Sequence, residues 1–134
     1  MEKVIVNISW SGNNYCAGAE INGIVFCTHK TLNGVKAEFV ETFKFHIVGS
    51  VADGDILTED LVRGDYEFDF KLEVSALLHS LDGIVTRSAI ARVTGINERQ
   101  LGHYASGIRN PRPEQRQRII TGIHNIGNDL SMDV

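Results

Sequence analysis

The stretch Thr86 to Pro113, TRSAIARVTGINERQLGHYASGIRNPRP, predicts two short helices joined at Gly95 and followed by an arginine-rich segment. Two helices can cross closely only if the contact residue is small and the turn tolerates positive φ. Ala91 and Gly95 meet these two needs. Asn97 is a good N-cap for the second helix, and Gln100, three residues later, completes a capping-box pattern. The arrangement is typical of a helix-turn-helix.

The apolar positions of these two helices are spaced to share one core, which we expect to contain Ile90, Ile96, Leu101 and Tyr104. The other positions of the second helix then point outward, and they are Glu98, Arg99, Gln100 and His103. A polar first turn, beginning at Asn97, is what reaches base edges when such a helix enters a major groove. A small helical bundle with a solvated basic face fits the same spacing.

Charge separates these alternatives. From Thr86 to the C-terminus the chain has seven arginines, no lysine and four acidic residues, a net charge of +3. Residues 1 to 85 carry six basic and thirteen acidic residues, a net charge of −7. The basic segment favours a phosphate backbone as its partner although the whole chain is acidic, because affinity depends on the local patch. We therefore predict binding to double-stranded DNA.

The N-terminal half predicts an α/β domain. Alternating apolar and polar residues indicate four strands, at Lys3 to Trp10, Tyr15 to Ile21, Ile24 to Thr28 and Tyr66 to Val74. Between the third and fourth strands, Thr31 can cap a helix with one apolar stripe, made of Val35, Phe39, Phe43 and Ile47. The predicted class is α+β, with an antiparallel sheet and one helix in the order βββαβ, followed by an all-helical domain.

Two features of this half do not follow the pattern. Phe45 lies about 200° around the helix from Phe43, so we expect a loop to cover it, the alternative being a partner surface.

The stretch Val51 to Gly64 is rich in acidic residues but lacks the acid spacing, central glycine and terminal glutamate of an EF-hand. It is predicted to be a solvated connector with one helical turn.

The change of pattern near Val74 predicts two domains, residues 1–74 and residues 75–134. Units of about 60 residues bury only about 60% of their unfolded surface, so we expect self-association, most simply a homodimer. The C-terminal seam of Ile119, Ile123, Ile126 and Leu130 fits either the domain core or a dimer contact. The chain has no apolar run of membrane-spanning length and no signal-peptide pattern at its start, so we expect no membrane partner and a cytoplasmic location.

Sequence motifs for catalysis are absent, including GxSxG, GxGxxG, the P-loop and HExxH. Cys16, Cys27 and His29 lack the paired spacing of zinc ligands, and in the expected compartment the two cysteines are predicted to be reduced. We expect no catalytic residue, no metal and no cofactor. A metal-dependent nuclease that uses the acidic residues is the enzymatic alternative.

The order of these elements resembles the HicB family of antitoxins, in the form with a C-terminal Cro-repressor-like DNA-binding domain. Its most specific segments are GDYEFDFKLEVSALLHSLDG, Gly64 to Gly83, and SAIARVTGINERQLGHYASGIRNPRPEQ, Ser88 to Gln115. The resemblance implies a partial RNase H-like N-terminal domain that binds a small basic, RNA-cleaving toxin of the HicA type. It also implies a C-terminal domain that represses its own operon by binding the operator.

The resemblance also implies the contact residues. Base-edge contacts would be made by Arg87, Glu98, Arg99, Gln100 and His103. Asn97, at the start of the second helix, belongs to the same DNA-binding set. Phosphate contacts would fall to Ser106, Arg109 and Arg112. One departure is the first turn of the N-terminal helix, Thr31-Leu32-Asn33-Gly34, where the family usually has acidic residues. An orphan repressor without a toxin is therefore an alternative, and a pure interaction module is another.

Overall fold

The computed structural model describes residues 1–132, and the chain divides into two compact units between Glu73 and Val74. This division falls one residue before the predicted one, because Val74 is already the first residue of a helix and is buried in the second unit's core. The first unit contains strands and helices in the order β1 (Glu2–Trp10), β2 (Tyr15–Glu20), β3 (Ile24–His29), α1 (Leu32–Ala52), α2 (Glu59–Arg63) and β4 (Tyr66–Leu72).

The four strands form one mixed sheet in the order β3-β2-β1-β4. The prediction of an antiparallel sheet is wrong for its last strand, because β4 pairs with β1 in parallel. The physical reason is the long connection, in which α1 returns the chain so that Tyr66 enters the sheet beside Glu2. The helical turn predicted in the acidic connector is present as the five-residue helix α2, which is capped by Thr58 and ended by Gly64 in the left-handed conformation. It adds one short element to the predicted order βββαβ.

The core of the first unit lies between α1 and one face of the sheet. All four residues of the predicted α1 stripe are buried, so that prediction is confirmed: Val35, Phe39, Phe43 and Ile47. Phe39 packs against Phe43, Phe68 and Phe70, with ring centroids 5.9, 5.4 and 6.4 Å away. Phe45 is 81% exposed, so the expected loop cover is absent because no described segment crosses that side of the helix.

The start of α1 explains why Gly34 stands in a helical first turn. Thr31 is the N-cap, as predicted, and its hydroxyl oxygen accepts a hydrogen bond from the Gly34 backbone N–H at 3.0 Å. His29 Nδ1 accepts a hydrogen bond from the Thr31 backbone N–H at 3.1 Å. A Cβ at position 34 would overlap the His29 imidazole, so glycine leaves room for this second capping bond.

We expect Gly34→Ala to lower the free energy of unfolding by about 1 kcal/mol, although alanine normally stabilises a helix. The added methyl displaces His29 and removes its hydrogen bond to the backbone. The matched control is Gly49→Ala in the same helix, where a Cβ meets nothing within 4 Å. This substitution should stabilise the protein by about 0.5–1 kcal/mol. Equal gains for the two variants in urea unfolding would contradict the capping role of His29.

The second unit is helical, with α3 (Val74–Leu81), α4 (Arg87–Thr94), α5 (Glu98–Ser106) and α6 (Pro113–Leu130). The predicted shared core is confirmed, because Ile90, Ile96, Leu101 and Tyr104 are all buried. Ile119 of α6 joins this core, whereas Leu130, at the other end of the predicted seam, is 74% exposed. Within residues 74–132, the buried residues of α5 lie on one of its faces.

The contact between α4 and α6 depends on a second close approach. A Cβ at Gly122 would lie 2.5 Å from Thr94 Cγ2, so glycine is the residue that lets the two helices meet. Arg118 Nη2 donates a hydrogen bond to the carbonyl oxygen of Thr94 at 2.8 Å. The Arg118 guanidinium thereby satisfies a backbone carbonyl at the C-terminus of α4. Its positive charge is also favourable there, because the helix dipole is negative at that end.

Candidate nucleic-acid interface

The connection between α4 and α5 consists of Gly95, Ile96 and Asn97. Gly95 has φ +74° and donates its backbone N–H to the carbonyl oxygen of Ala91 at 2.8 Å, which ends α4 as predicted. Ile96 is buried in the core, and Asn97 Oδ1 accepts a hydrogen bond from the Arg99 backbone N–H at 2.7 Å. The turn is therefore held at each of its three residues, which fixes where α5 begins.

The predicted capping box is wrong in its second half. Asn97 caps the helix, but Gln100 does not return to the Asn97 backbone. Instead, Gln100 Nε2 donates a hydrogen bond to the Tyr104 hydroxyl oxygen at 2.9 Å, one turn along the helix. Gln100 is accordingly half-buried rather than fully outward, because a buried phenol that needs a partner competes successfully for its amide.

α5 has two distinct faces. One face is buried and consists of Leu101, Tyr104 and Ala105. The other faces outward within an arc of about 140° at 100° per residue. It contains the exposed Glu98, Arg99 and Ser106 together with the half-buried Gly102 and His103. The structure thus brings four of the predicted contact residues onto one helix face.

The arginines around this face differ in their partners. Arg99, Arg109 and Arg112 are exposed, and none of them forms an ion pair with a carboxylate in the part of the chain that the structure describes. In the first unit, by contrast, Lys44, Arg63 and Lys71 each lie within 4.0 Å of a carboxylate oxygen. Arg109 follows α5 in the loop, and Arg112 occupies the N-cap position of α6 without a side-chain capping bond. These three guanidinium groups are available to an external anion.

Arg87 is placed differently from the other predicted contact residues. It begins α4, and its Nη2 lies 3.4 Å from Asp82 Oδ2. Its Nε is buried without a hydrogen-bond partner among residues 1–132, as is Nδ1 of His103. An anion would have to compete with Asp82 for Arg87, so this residue is less ready for binding than Arg99.

Two residues at this face, Gly102 and Ile108, were not among the contact residues predicted from the sequence. Gly102 lies near the centre of the outward face, and a Cβ there would meet nothing within 4 Å. The available signal was its position inside a nine-residue helix, where glycine costs about 1 kcal/mol relative to alanine. Ile108 is 71% exposed beside Arg109, and its signal was a large apolar residue next to Gly107, which ends α5.

The other reactive side chains of residues 1–132 are of two kinds, those that can bind a metal ion and those that can act as nucleophiles. Among residues 1–132, no group of three or more histidine, cysteine, aspartate or glutamate side chains is arranged to hold a metal ion. Cys16 and Cys27 are free, and their strand register places them on opposite faces of the sheet. Burial raises the pKa of both thiols, which makes them weaker nucleophiles at neutral pH. No helix in the described part of the chain is long and apolar enough to cross a bilayer.

Comparison of the chain with protein-family models, with curated proteins and with solved structures finds no match. Its function is therefore inferred from the residues and geometry of each unit.

Proposed function

We propose that the protein is a dimeric, sequence-specific DNA-binding repressor of the HicB antitoxin type. In this proposal α4 and α5 form a helix-turn-helix, and α5 is the helix that enters the major groove. The observation that carries it is the outward face of α5, which combines Glu98, Arg99 and Ser106 with two exposed arginines in the chain that follows. These are Arg109 and Arg112, and neither forms an ion pair among residues 1–132. The opposite face of α5 is buried in the core of the second unit.

The contact roles follow from side-chain chemistry. The Arg99 fork suits the two acceptors of a guanine edge, and Glu98 can accept a hydrogen bond from a cytosine amino group. Asn97 lies in the same first turn but already caps α5, and Gln100 is bonded to Tyr104, so both contribute by holding the helix. Arg109 and Arg112 suit phosphates, which position the protein without reading sequence. His103 and Ser106 lie toward the end of α5, and Arg87 would contribute after releasing Asp82.

The antitoxin half of the proposal concerns the first unit. Its 73 residues carry twelve acidic and six basic side chains, a net charge of −6, which complements a small basic toxin of the HicA type. Complementary charge raises the encounter rate and suppresses wrong partners more than it adds affinity. The three leading strands, α1 and a final strand support a partial RNase H-like domain, and in this proposal that domain binds the toxin.

A direct experiment is fluorescence anisotropy of the full-length chain with a labelled duplex from the region upstream of its own coding sequence. A shuffled duplex of the same composition serves as the control. We expect the upstream duplex to bind about 1,000-fold or more tightly than the shuffled one, as is usual for specific repressors. Equal affinity for the two duplexes would exclude sequence-specific repression.

An orphan repressor without a toxin is the second candidate, and one observation favours it. The first turn of α1 contains no acidic residue, whereas the resemblance leads us to expect acidic residues there. The two candidates differ in the neighbouring gene. Co-purification of the chain with the product of an adjoining short basic reading frame supports the antitoxin, and relief of that product's toxicity completes the test. DNA binding with no such reading frame supports the orphan repressor.

The glycine on the binding face supplies a further test of the same interface. We expect Gly102→Ala to raise the free energy of unfolding by about 0.5–1 kcal/mol, because alanine is the better helix former and its methyl group meets open space. DNA affinity should nevertheless fall, since the methyl group projects from the face that approaches the bases. Gly127→Ala in α6, where a Cβ also meets nothing within 4 Å, should stabilise the protein without changing DNA affinity. Equal DNA affinities for the two variants would place the bases elsewhere.

A further inference from the structure

The two edges of the sheet are protected very differently. On the edge strand β4, the residues that point away from α1 are Glu67, Asp69 and Lys71, and charges of this kind discourage pairing with another strand. The edge strand β3 has the sequence IVFCTH, Ile24–His29, with no acidic residue, no lysine and no proline. Four of its six residues are strong strand formers, and no charged residue of the strand blocks the β3 edge, which is open to another strand.

Exposed apolar side chains accompany the open edge. Ile24 is 78% exposed and Phe26 is 62% exposed, and their strand positions place them on the sheet face that points away from α1. Together with Phe45 of α1, strand β3 also borders a cleft of about 480 Å³. Asp53 and Asp55 lie at the border of the same cleft. Contiguous exposed apolar surface with a polar rim is characteristic of a protein contact site. Phe45, which nothing in its own unit covers, belongs to this exposed surface.

We propose that β3 pairs antiparallel with β3 of a second copy of this chain, with Phe26 on the two-fold axis. Paired residues of adjacent strands share a sheet face, so registers that place even-numbered residues opposite odd-numbered ones are excluded. The register centred on Phe26 places Ile24 opposite the partner's Thr28, and it uses the whole uncharged segment. The two four-stranded sheets then join into one eight-stranded sheet.

Charge complementarity supports the second copy as the occupant. In this register Lys30, the first residue after β3, comes to the same end of the interface as the partner's Asn22, which lies in the turn before β3. Asn22 Nδ2 donates a hydrogen bond to Asp55 Oδ2 at 2.9 Å, so Lys30 approaches an exposed carboxylate of the partner. The two-fold axis repeats this pair, which gives two ion pairs flanking the apolar centre. The interface lies within the first unit, and it does not depend on the proposed DNA contacts of the second.

Disulfide trapping tests the register directly. In full-length chains carrying Cys16→Ser and Cys27→Ser, we expect Phe26→Cys to form a covalent dimer on mild oxidation, because directly opposed residues lie about 4.5–5.5 Å apart between their Cα atoms. Thr28→Cys alone should stay unlinked, whereas mixing it with Ile24→Cys chains should produce the heterodimer. Ile5→Cys is the control, since it lies on the same sheet face but on a central strand. A Phe26→Cys chain that links no faster than Ile5→Cys overturns the proposal.

Sedimentation equilibrium of the full-length chain provides a second measurement that does not rely on cysteine. We expect Phe26→Lys to weaken self-association by roughly tenfold or more, because two lysines meet at the axis. Lys30→Glu should also weaken it, and the double variant Lys30→Glu with Asp55→Lys should recover most of the loss. An unchanged association constant for Phe26→Lys overturns the proposal. Pairing of β3 with a different protein, and not with a second copy, also overturns the proposal. In that case the different protein protects Phe26→Cys from alkylation, and a second copy of this chain does not.

Discussion

Replacing Arg99 by alanine is expected to weaken binding to the protein's own upstream DNA by about 1 to 3 kcal/mol and to reduce its preference over other sequences. Arg99 is exposed in the first turn of α5 and forms no ion pair within the described residues. Its removal therefore disturbs no internal interaction. Anisotropy titrations with the upstream duplex and with single-base variants of it would measure both the loss and the change in preference.

The control for Arg99→Ala is Arg109→Ala, which removes an equally exposed arginine from the loop after α5. It should weaken binding to all duplexes by similar factors, since a phosphate contact carries no base information. If the two variants lose affinity to the same extent on every duplex, α5 does not read bases and the assignment of the recognition helix is wrong. Circular dichroism of both variants would verify that α5 remains folded.

The largest effect on stability is expected for Phe39→Ala, which should lower the free energy of unfolding by about 3–5 kcal/mol. Phe39 is fully buried, and its ring contacts three other aromatic rings that belong to α1 and β4. Truncation leaves a cavity between α1 and β4. Urea unfolding followed by far-ultraviolet circular dichroism measures this loss.

Phe45→Ala is the matched control, because it makes the same chemical change in the same helix at a side chain that is 81% exposed. We expect a change of less than about 0.5 kcal/mol in the unfolding of the isolated chain. Any larger effect should appear in self-association and vary with protein concentration, unlike the loss caused by Phe39→Ala. A concentration-independent loss above about 2 kcal/mol at Phe45 would mean that this ring is packed.

The local pattern of the sequence predicted most elements of the fold. Strict alternation identified β4, and the spacing of Val35, Phe39 and Phe43 identified the buried side of α1. The direction of β4 could not be predicted in this way, because alternation describes which residues share a face and not which neighbour a strand joins. That choice depends on how α1 returns the chain to Glu2, which is a long-range contact.

The candidate site shows the same limit at the level of single residues. The spacing of Asn97 and Gln100 matched a capping box, but the Gln100 amide bonds to Tyr104, a competing partner that lies at an equally ordinary spacing. Helix propensity describes Gly34 only as a weak helix former, whereas His29 occupies the space that a side chain would need. Sequence periodicity identifies the outward face of α5, but it does not show which outward residues already form hydrogen bonds within the protein.

The central claim, that the second unit binds DNA through Arg99, Arg109 and Arg112, is tested most directly by the salt dependence of binding. Affinity for the upstream duplex should fall linearly on a plot of log K against log salt concentration, with a slope of about −0.9 for each phosphate contacted. Arg109→Ala and Arg112→Ala should each make the slope shallower by about 2 for a bound dimer, because each substitution removes two phosphate contacts. Binding that is undetectable at low salt, or a slope that these substitutions leave unchanged, would contradict the account.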